Sequence, residues 1–242
     1  MEITQVIIIA GIAIIAFFYS STGYGGATGY LALMALMGVS PFVMKPSALV
    51  MNIFVSSIAF LSYYRAGYFR LNLVLPFVAA SVPMAFLGGR ITPGVPVYEA
   101  ILGVLLVISA FRIIYKPREP EEVKRPSFSF SVLSGALIGF FSGMVGIGGG
   151  ILLAPLMILM KWAKVKEAAA AASIFILLNS LAGLAGFYGT PVTLSPQIYS
   201  WTLTAVTAAI AGSHCGSMRF SVPWLKIILS CVIVAAGMKL IF

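Results

Sequence analysis

The chain contains no aspartate, and its six acidic residues, all glutamates, stand against fifteen lysines and arginines. Glu2, Glu99, Glu119, Glu121, Glu122 and Glu167 fall at a terminus, in a polar linker or near a helix start, so no carboxylate sits in the middle of an apolar stretch. A cation or proton pathway through a membrane usually places an acid there, and its absence argues against one. The single histidine, His214, excludes a histidine cluster. Cys215 and Cys231 both lie in apolar segments, which points to small packing residues and to neither a disulfide framework nor a metal site. With no mid-span acid, no histidine cluster and no evident Ser–His pairing, the parts of an intramembrane enzyme are missing. No cofactor is expected.

Charge of either sign is scarce. Charged residues make up 9% of the chain, against about 25% in soluble domains, while 61% is hydrophobic and the mean hydropathy is +1.08. Apolar blocks recur at 3–22, 47–64, 71–88, 97–115, 128–145, 168–188, 197–214 and 222–242, each near the roughly 20 residues that a bilayer span needs. The chain reads as an all-α polytopic membrane protein. Its net charge of +9 then reports orientation in a bilayer rather than nucleic acid. No cleavable signal peptide is evident, since only Glu2 precedes the first block.

The chain repeats itself. "STGYGGATGYLALMALMG" in the first half matches "GMVGIGGGILLAPLMILM" in the second, setting Gly23, Gly25 and Gly26 opposite Gly146, Gly148 and Gly149. Residues 96–114 lie over 223–241, with proline on proline and Arg112 on Lys239, and the same offset sets Gly89 on Gly216. Residues 1–115 thus form a first repeat, 116–127 a polar linker and 128–242 a second repeat, within one integrated membrane domain. Each repeat is a glycine-broken segment followed by three spans.

The positive charges decide between parallel and inverted repeats. If each broken segment crosses once, Arg65, Arg70, Arg112, Lys116, Arg118, Lys124, Arg125 and Lys239 share one side and the other seven face away. If each is a hairpin that returns to its own side, the repeats are inverted. Lys161, Lys164, Lys166, Arg219 and Lys226 then join the linker side, leaving only Lys45, Arg90 and Lys239 opposite. Twelve against three fits the cytoplasmic enrichment in Lys and Arg far better than eight against seven. The linker is then cytoplasmic, and the N-terminus and the loop 189–197 are external. Lys45 and Arg90 stand near the external side, where they anchor in the interface or line an exit. Length agrees: 30–39 and 151–162 are too short to cross at 1.5 Å per residue, so the returning arm is a half-helix.

Glycine turns a chain at depth because it has no side chain to clash, and irregular backbone survives there only against protein or a water-filled cavity. The two turns, 23–29 and 146–150, are therefore expected to meet near the midplane. Each opens a half-helix whose first N–H groups are unpaired and carry the positive end of the dipole. Two such ends make an anion site with no buried arginine. Close helix packing through G-x-x-x-G is the competing reading, and duplication at equivalent places favours the site. The candidate binding residues are Gly25, Gly26, Ala27, Thr28, Gly148, Gly149 and Gly150, joined by Asn52 and Asn179 on the first full span after each hairpin. Most of the other intramembrane Ser and Thr residues, a set that includes Ser142 and Ser180, are expected to bond helix backbone.

The run Gly146-Ile147-Gly148-Gly149-Gly150-Ile151-Leu152-Leu153-Ala154-Pro155-Leu156 resembles the signature of the TauE/SafE family, exporters of sulfite and organosulfonates. The first-half copy, Gly23-Tyr24-Gly25-Gly26-Ala27-Thr28-Gly29, lacks the third consecutive glycine and the proline. The resemblance covers nearly the whole chain. It implies a transporter of small sulfur-containing anions in the cell (inner) membrane, with export as the leading direction, uptake as the alternative and a membrane scaffold as a third reading. The expected partners are the anion and the lipid bilayer, with no nucleic acid; a homodimer is compatible with the sequence.

Overall fold

The computed structural model describes residues 3–91, 93–114, 120–187, 196–217 and 223–242. Among them are ten helices and no strand. The first half comprises α1 (Ile3–Ser21), α2 (Ala27–Leu36), α3 (Pro41–Arg65), α4 (Leu71–Arg90) and α5 (Val95–Ile114). The second comprises α6 (Phe128–Val145), α7 (Gly150–Leu159), α8 (Val165–Ala185), α9 (Gln197–Ser217) and α10 (Pro223–Ile241). Residue 115, linker residues 116–119, residues 189–195 of the loop expected to be external, and Arg219 lie outside the described residues.

α1, α3, α4, α6 and α8 are long and apolar enough to cross a membrane. α2 and α7 have ten residues each, about 15 Å of rise, or half of a hydrocarbon core of about 30 Å. The returning arm of each hairpin is thus the short one, while the first arm has 19 residues in α1 and 18 in α6.

Local sequence sets the helix starts. α3 opens on Ser40-Pro41, where proline's missing N–H costs nothing and its φ is already helical. At the start of α8 the Glu167 carboxylate accepts the Lys164 backbone N–H at 3.1 Å and pairs with Arg70 at 2.7 Å. The acid so placed also faces the positive end of the helix dipole.

The helix contacts have a two-fold pattern. α4 packs on α6 as α1 packs on α9; α4 on α8 as α9 on α3; α2 on α10 as α7 on α5. α3 pairs with α8 and α5 with α10. Exchanging each helix for the one five places later maps these pairs onto one another or onto themselves. Glycines let the backbones approach. On α6, a Cβ at Gly135, Gly139 or Gly143 would strike the main chain of Phe77, Ser81 or Ala85 on α4. The steps of four on both helices make α4 and α6 run side by side in the same direction. This ridge realises the packing reading of glycine, away from the broken segments.

The contacts also correct the register of the repeat. A Cβ at Gly88 would strike the Phe140 carbonyl, and one at Gly212 the Phe17 carbonyl. Gly143 abuts the Ala85 carbonyl, and Ser20 donates to the Ala209 carbonyl at 2.8 Å. Gly88 therefore corresponds to Gly212, an offset of 124, and Gly89 does not correspond to Gly216. α9 runs on to Ser217, three residues past His214, the counterpart of Arg90. Those extra residues explain why the offset read from α5 and α10 fails for α4 and α9.

Basic residues gather at the two ends of the bundle. Around the starts of α4, α6 and α8, Arg70 pairs with Glu167, the Lys166 ammonium donates to the Tyr68 hydroxyl at 3.0 Å, and the Lys124 N–H donates to the Lys161 carbonyl at 2.7 Å. At the opposite end the Lys45 ammonium donates to the Gly89 and Ile91 carbonyls, both at 3.2 Å. There too the Lys239 ammonium donates to Ala35 and Leu36, the last carbonyls of α2.

Because the Gly139 ridge is backbone against backbone, Gly139→Leu should destabilise the folded protein by about 1–3 kcal/mol or more, as overpacking does. Thermal melting followed by size-exclusion in mild detergent measures it. A melting temperature within a degree of wild type would show that α4 and α6 do not depend on this approach.

Candidate functional site

Each half-helix begins at a glycine in the left-handed region, Gly26 (φ 91) before α2 and Gly149 (φ 79) before α7. A residue with a Cβ adopts this conformation only at a cost, and in both places the chain uses it to reverse inside the bundle. The N–H groups of Ala27, Thr28 and Gly29, and of Gly150 and Ile151, then have no intrahelical acceptor. Both helices present the positive end of their dipole to the turn they start from.

The two turns border the same two side chains. The position of a Cβ on Gly25 lies 2.6 Å from Asn52 Oδ1 and 3.0 Å from Ile176 Cγ2. The corresponding position on Gly148 lies 2.8 Å from the same Ile176 methyl, 2.9 Å from Asn52 Nδ2 and 3.1 Å from Ser180 Oγ. One amide on α3 and one aliphatic side chain on α8 thus separate the starts of α2 and α7. Which amide atom faces which turn is an assignment that a flip exchanges.

Asn52 is fully buried, and neither amide atom has a hydrogen-bond partner among the described residues. An unpaired buried polar group costs on the order of 1–3 kcal/mol. Here several occur together: Ser180 Oγ beside Gly148, Ser142 Oγ against Gly149 and the Tyr30 hydroxyl against Gly26, all buried without a partner. Several other intramembrane hydroxyls bond backbone as expected, Ser56 to Asn52, Ser57 to Ile53 and Ser173 to Ala170, while those of Ser47 and Thr202 are buried without a partner away from the turns. Ser142 and Ser180 are departures from that expectation, and they occur at the turns.

The other candidates are distributed less evenly. Ala27 and Gly150 are the first residues of α2 and α7, both buried; Gly150 is pressed against Ile176 and the Ala172 carbonyl. The Thr28 hydroxyl is bonded to the Tyr19 hydroxyl at 2.7 Å, so it braces the first turn of α2. Asn179 is buried with an unpaired amide, but the side chain that α8 presents to both turns is Ile176. With an offset of 124, Ile176 is the repeat counterpart of Asn52, so one amide serves two turns. Tyr30, Ser142, Ser180 and Ile176 were not singled out from sequence. Ile176 and Ser180 lie on one helical face, four residues apart, which is the signal that could have found Ser180. His214 lies on the exposed side of α9, away from the turns.

Chemically, the arrangement offers hydrogen-bond donors from two helix starts, an amide and hydroxyls. Among the described residues nearest the turns there is no carboxylate. Such a site accepts negative charge and solvates a cation poorly.

Comparison with known proteins identifies a family of membrane transporters. The family model described as "Sulfite exporter TauE/SafE" matches residues 7–240. A protein of Sinorhizobium fredii named "Probable membrane transporter protein y4hK" is 35% identical over 235 residues, covering 95% of each chain. "Probable membrane transporter protein YjnA" of Bacillus subtilis is 28% identical over 243 residues, covering 91% of this chain and 93% of its own. No solved structure matches the chain.

Asn52→Leu replaces an unpaired amide with an apolar group of similar size. Stability should hold or rise by about 1 kcal/mol, while solute flux falls at least tenfold. Melting temperature and flux in proteoliposomes, measured on the same preparation, give both halves of the expectation. A less stable protein with normal flux would make the amide a structural element.

Proposed function

Because the chain belongs to the TauE/SafE family of membrane transporters, we propose that it carries small sulfur-containing anions, sulfite or a short sulfonate, out of the cell across the inner membrane. It does so as a multi-pass transporter with no catalytic step. The observation that carries this reading is the unpaired Asn52 amide held between the glycine turns that open α2 and α7. The dipole ends of the two half-helices supply the positive field, and Asn52, Ser180, Ser142 and Tyr30 supply further donors. Gly25, Gly26, Ala27, Gly148, Gly149 and Gly150 form the cradle, Thr28 stiffens it, and Asn179 adds a polar group on α8.

The two halves, 1–115 and 128–242, are inverted repeats in this reading. Gly23, after α1, lies against Ala169 and Tyr63, near the end of the bundle where Arg70, Lys124, Lys161 and Lys166 gather. Gly146, after α6, lies against Lys45 at the other end. Equivalent helices thus run in opposite senses, which supports the hairpin arrangement, with the Lys-rich end cytoplasmic. Inverted repeats around a midplane site suit alternating access by rocking of one repeat against the other.

The driving force follows from the missing acids. With no mid-span carboxylate to couple a cation, an anion leaving a negative-inside cell needs only the membrane potential, worth about 2.3 kcal/mol per charge per 100 mV. A tenfold gradient needs about 1.4 kcal/mol, so the potential alone holds a monoanion well below its external level.

Two experiments test the proposal. In proteoliposomes clamped with potassium and valinomycin at equal pH, efflux of labelled sulfite or methanesulfonate should accelerate when the inside is negative. Gly148→Leu, whose side chain would press on Ile176 and Asn52, should abolish that flux at normal insertion. Flux that ignores voltage and follows a pH gradient would replace uniport with proton coupling, and net uptake under the same clamp would reverse the direction. For topology, single cysteines at 161–166 in a background lacking Cys215 and Cys231 should label only from the cytoplasmic side. Labelling from outside would overturn the inverted arrangement.

A further inference from the structure

Lys45 does not anchor in the interface. Its side chain is 4% exposed, one turn inside α3, whereas Arg90 beside it is exposed and lies over the Phe86 ring of its own helix. The Lys45 ammonium sits 4.6 Å from the centroid of the Phe187 ring and donates to the carbonyls of Gly89 and Ile91. An ammonium has three donors, and two are used. Among the described residues no carboxylate is within ion-pair distance of it; the ion pair found there is Arg70 with Glu167.

A lone buried cation is expensive, and capping a helix end does not require the burial. Lys239 makes the same pair of bonds, to Ala35 and Leu36 at the end of α2, from an exposed position. Lys45 instead lies against a glycine turn: a Cβ on Gly146 would come within 3.1 Å of both its Cγ and its carbonyl oxygen. The same turn continues two residues on to Gly148 and Asn52. Lys45 and Asn52 are seven residues apart on α3, two turns on one helical face, or about 10 Å.

The repeat supplies a comparison inside the molecule. Gly23, the counterpart of Gly146, lies against Ala169 and Tyr63, which are the counterparts of Lys45 and Phe187 at an offset of 124. Gly23 thus meets the start of α8 and a ring near the end of α3, whereas Gly146 meets the start of α3, where the Lys45 ammonium lies over the Phe187 ring that follows α8. Among the described residues, it is the turn away from the Lys-rich loops that lies against a buried cation.

We propose that Lys45 forms a second anion-binding station, on one side of the central site only, between the Gly146 turn and the end of α4, taking the same class of small sulfur oxyanion as that site. The inference rests on the transport reading above. An arriving anion takes the third donor and neutralises the buried charge, so the station fills from the external side under the topology proposed.

The test uses oriented proteoliposomes and labelled methanesulfonate. In Lys45→Gln, the KM from the external side should rise about tenfold, and the ratio of maximal rates from the two sides should move with it, as a passive carrier at equilibrium demands. The KM from the cytoplasmic side should stay within twofold of wild type, and Lys45→Arg, which keeps the charge, should keep the external KM. Equal loss of flux from both sides with both KM values unchanged would make Lys45 a helix cap and overturn the station. As a second measurement independent of any Lys45 variant, purified Asn52→Leu protein should still bind labelled methanesulfonate at one remaining site, and no residual binding would also overturn the station. A wild-type protein that moves no sulfonate or sulfite in either direction would instead defeat the transport reading.

Discussion

Backbone that breaks inside hydrocarbon must find partners for the N–H groups it frees, because no water is there to take them. That constraint organises the protein. Two helices are interrupted and restarted at Gly26 and Gly149, and the freed ends can face only protein or a polar ligand. The rest of the bundle keeps lipid away from them. α3 and α8 pair beside the turns, and α4 with α6 and α1 with α9 clamp the long arms of the hairpins through backbone contacts at Gly135, Gly139, Gly143 and Gly212. Glycine therefore does two kinds of work here. On α6 it shortens the distance between helices, and at the turns it permits a reversal and exposes amide groups to a shared centre.

A two-fold frame does not give a two-fold site. Asn52 and Ile176 are counterparts, yet one is an amide and the other an aliphatic side chain, and both turns close on the pair. Lys45 and Ala169 are counterparts, as are Phe187 and Tyr63. In the proposed transport reading, the duplicated backbone holds a single polar centre with two unlike approaches, one lined by a buried ammonium and the other by alanine and a phenol. Symmetric backbone suits a site reached from two sides; unlike side chains let the two sides bind with different affinity.

Much of this was legible in the residues. The repeated glycines predicted the turns, and the ten or so residues after each predicted a half-helix, while the absence of mid-span acids underlies the anion reading proposed above. Asn52 was legible because an amide in an apolar span is conspicuous. Ile176 was not, since nothing distinguishes one aliphatic residue in an apolar helix from its neighbours. Thr28 was a reasonable donor from its position, but only the fold shows its hydroxyl tied to Tyr19. The match of Gly89 to Gly216 failed because three extra residues at the end of α9 shift the offset between one helix pair and the next. Lys45 lay close enough to a span's end to suit an interfacial anchor, and its shared face with Asn52, although visible as a step of seven, had no meaning until the Gly146 turn was seen against it.

In the proposed transporter, dipoles in place of a charged side chain at the centre suit a site that must release its ligand. A helix end carries roughly half an elementary charge, and it is fixed in place by the backbone. Two such ends attract an anion without a counterion that would need neutralising when the site empties. A buried arginine or lysine at the same point would bind the anion more strongly and leave an unpaired charge in the empty state, a cost of several kcal/mol. Lys45, the one buried cation among the described residues, stands about 10 Å away along α3, with carbonyls of Gly89 and Ile91 as its partners. In the station proposed for Lys45, its charge draws an anion along the Gly146 turn without occupying the centre, so attraction and release would be divided between two places on one helical face.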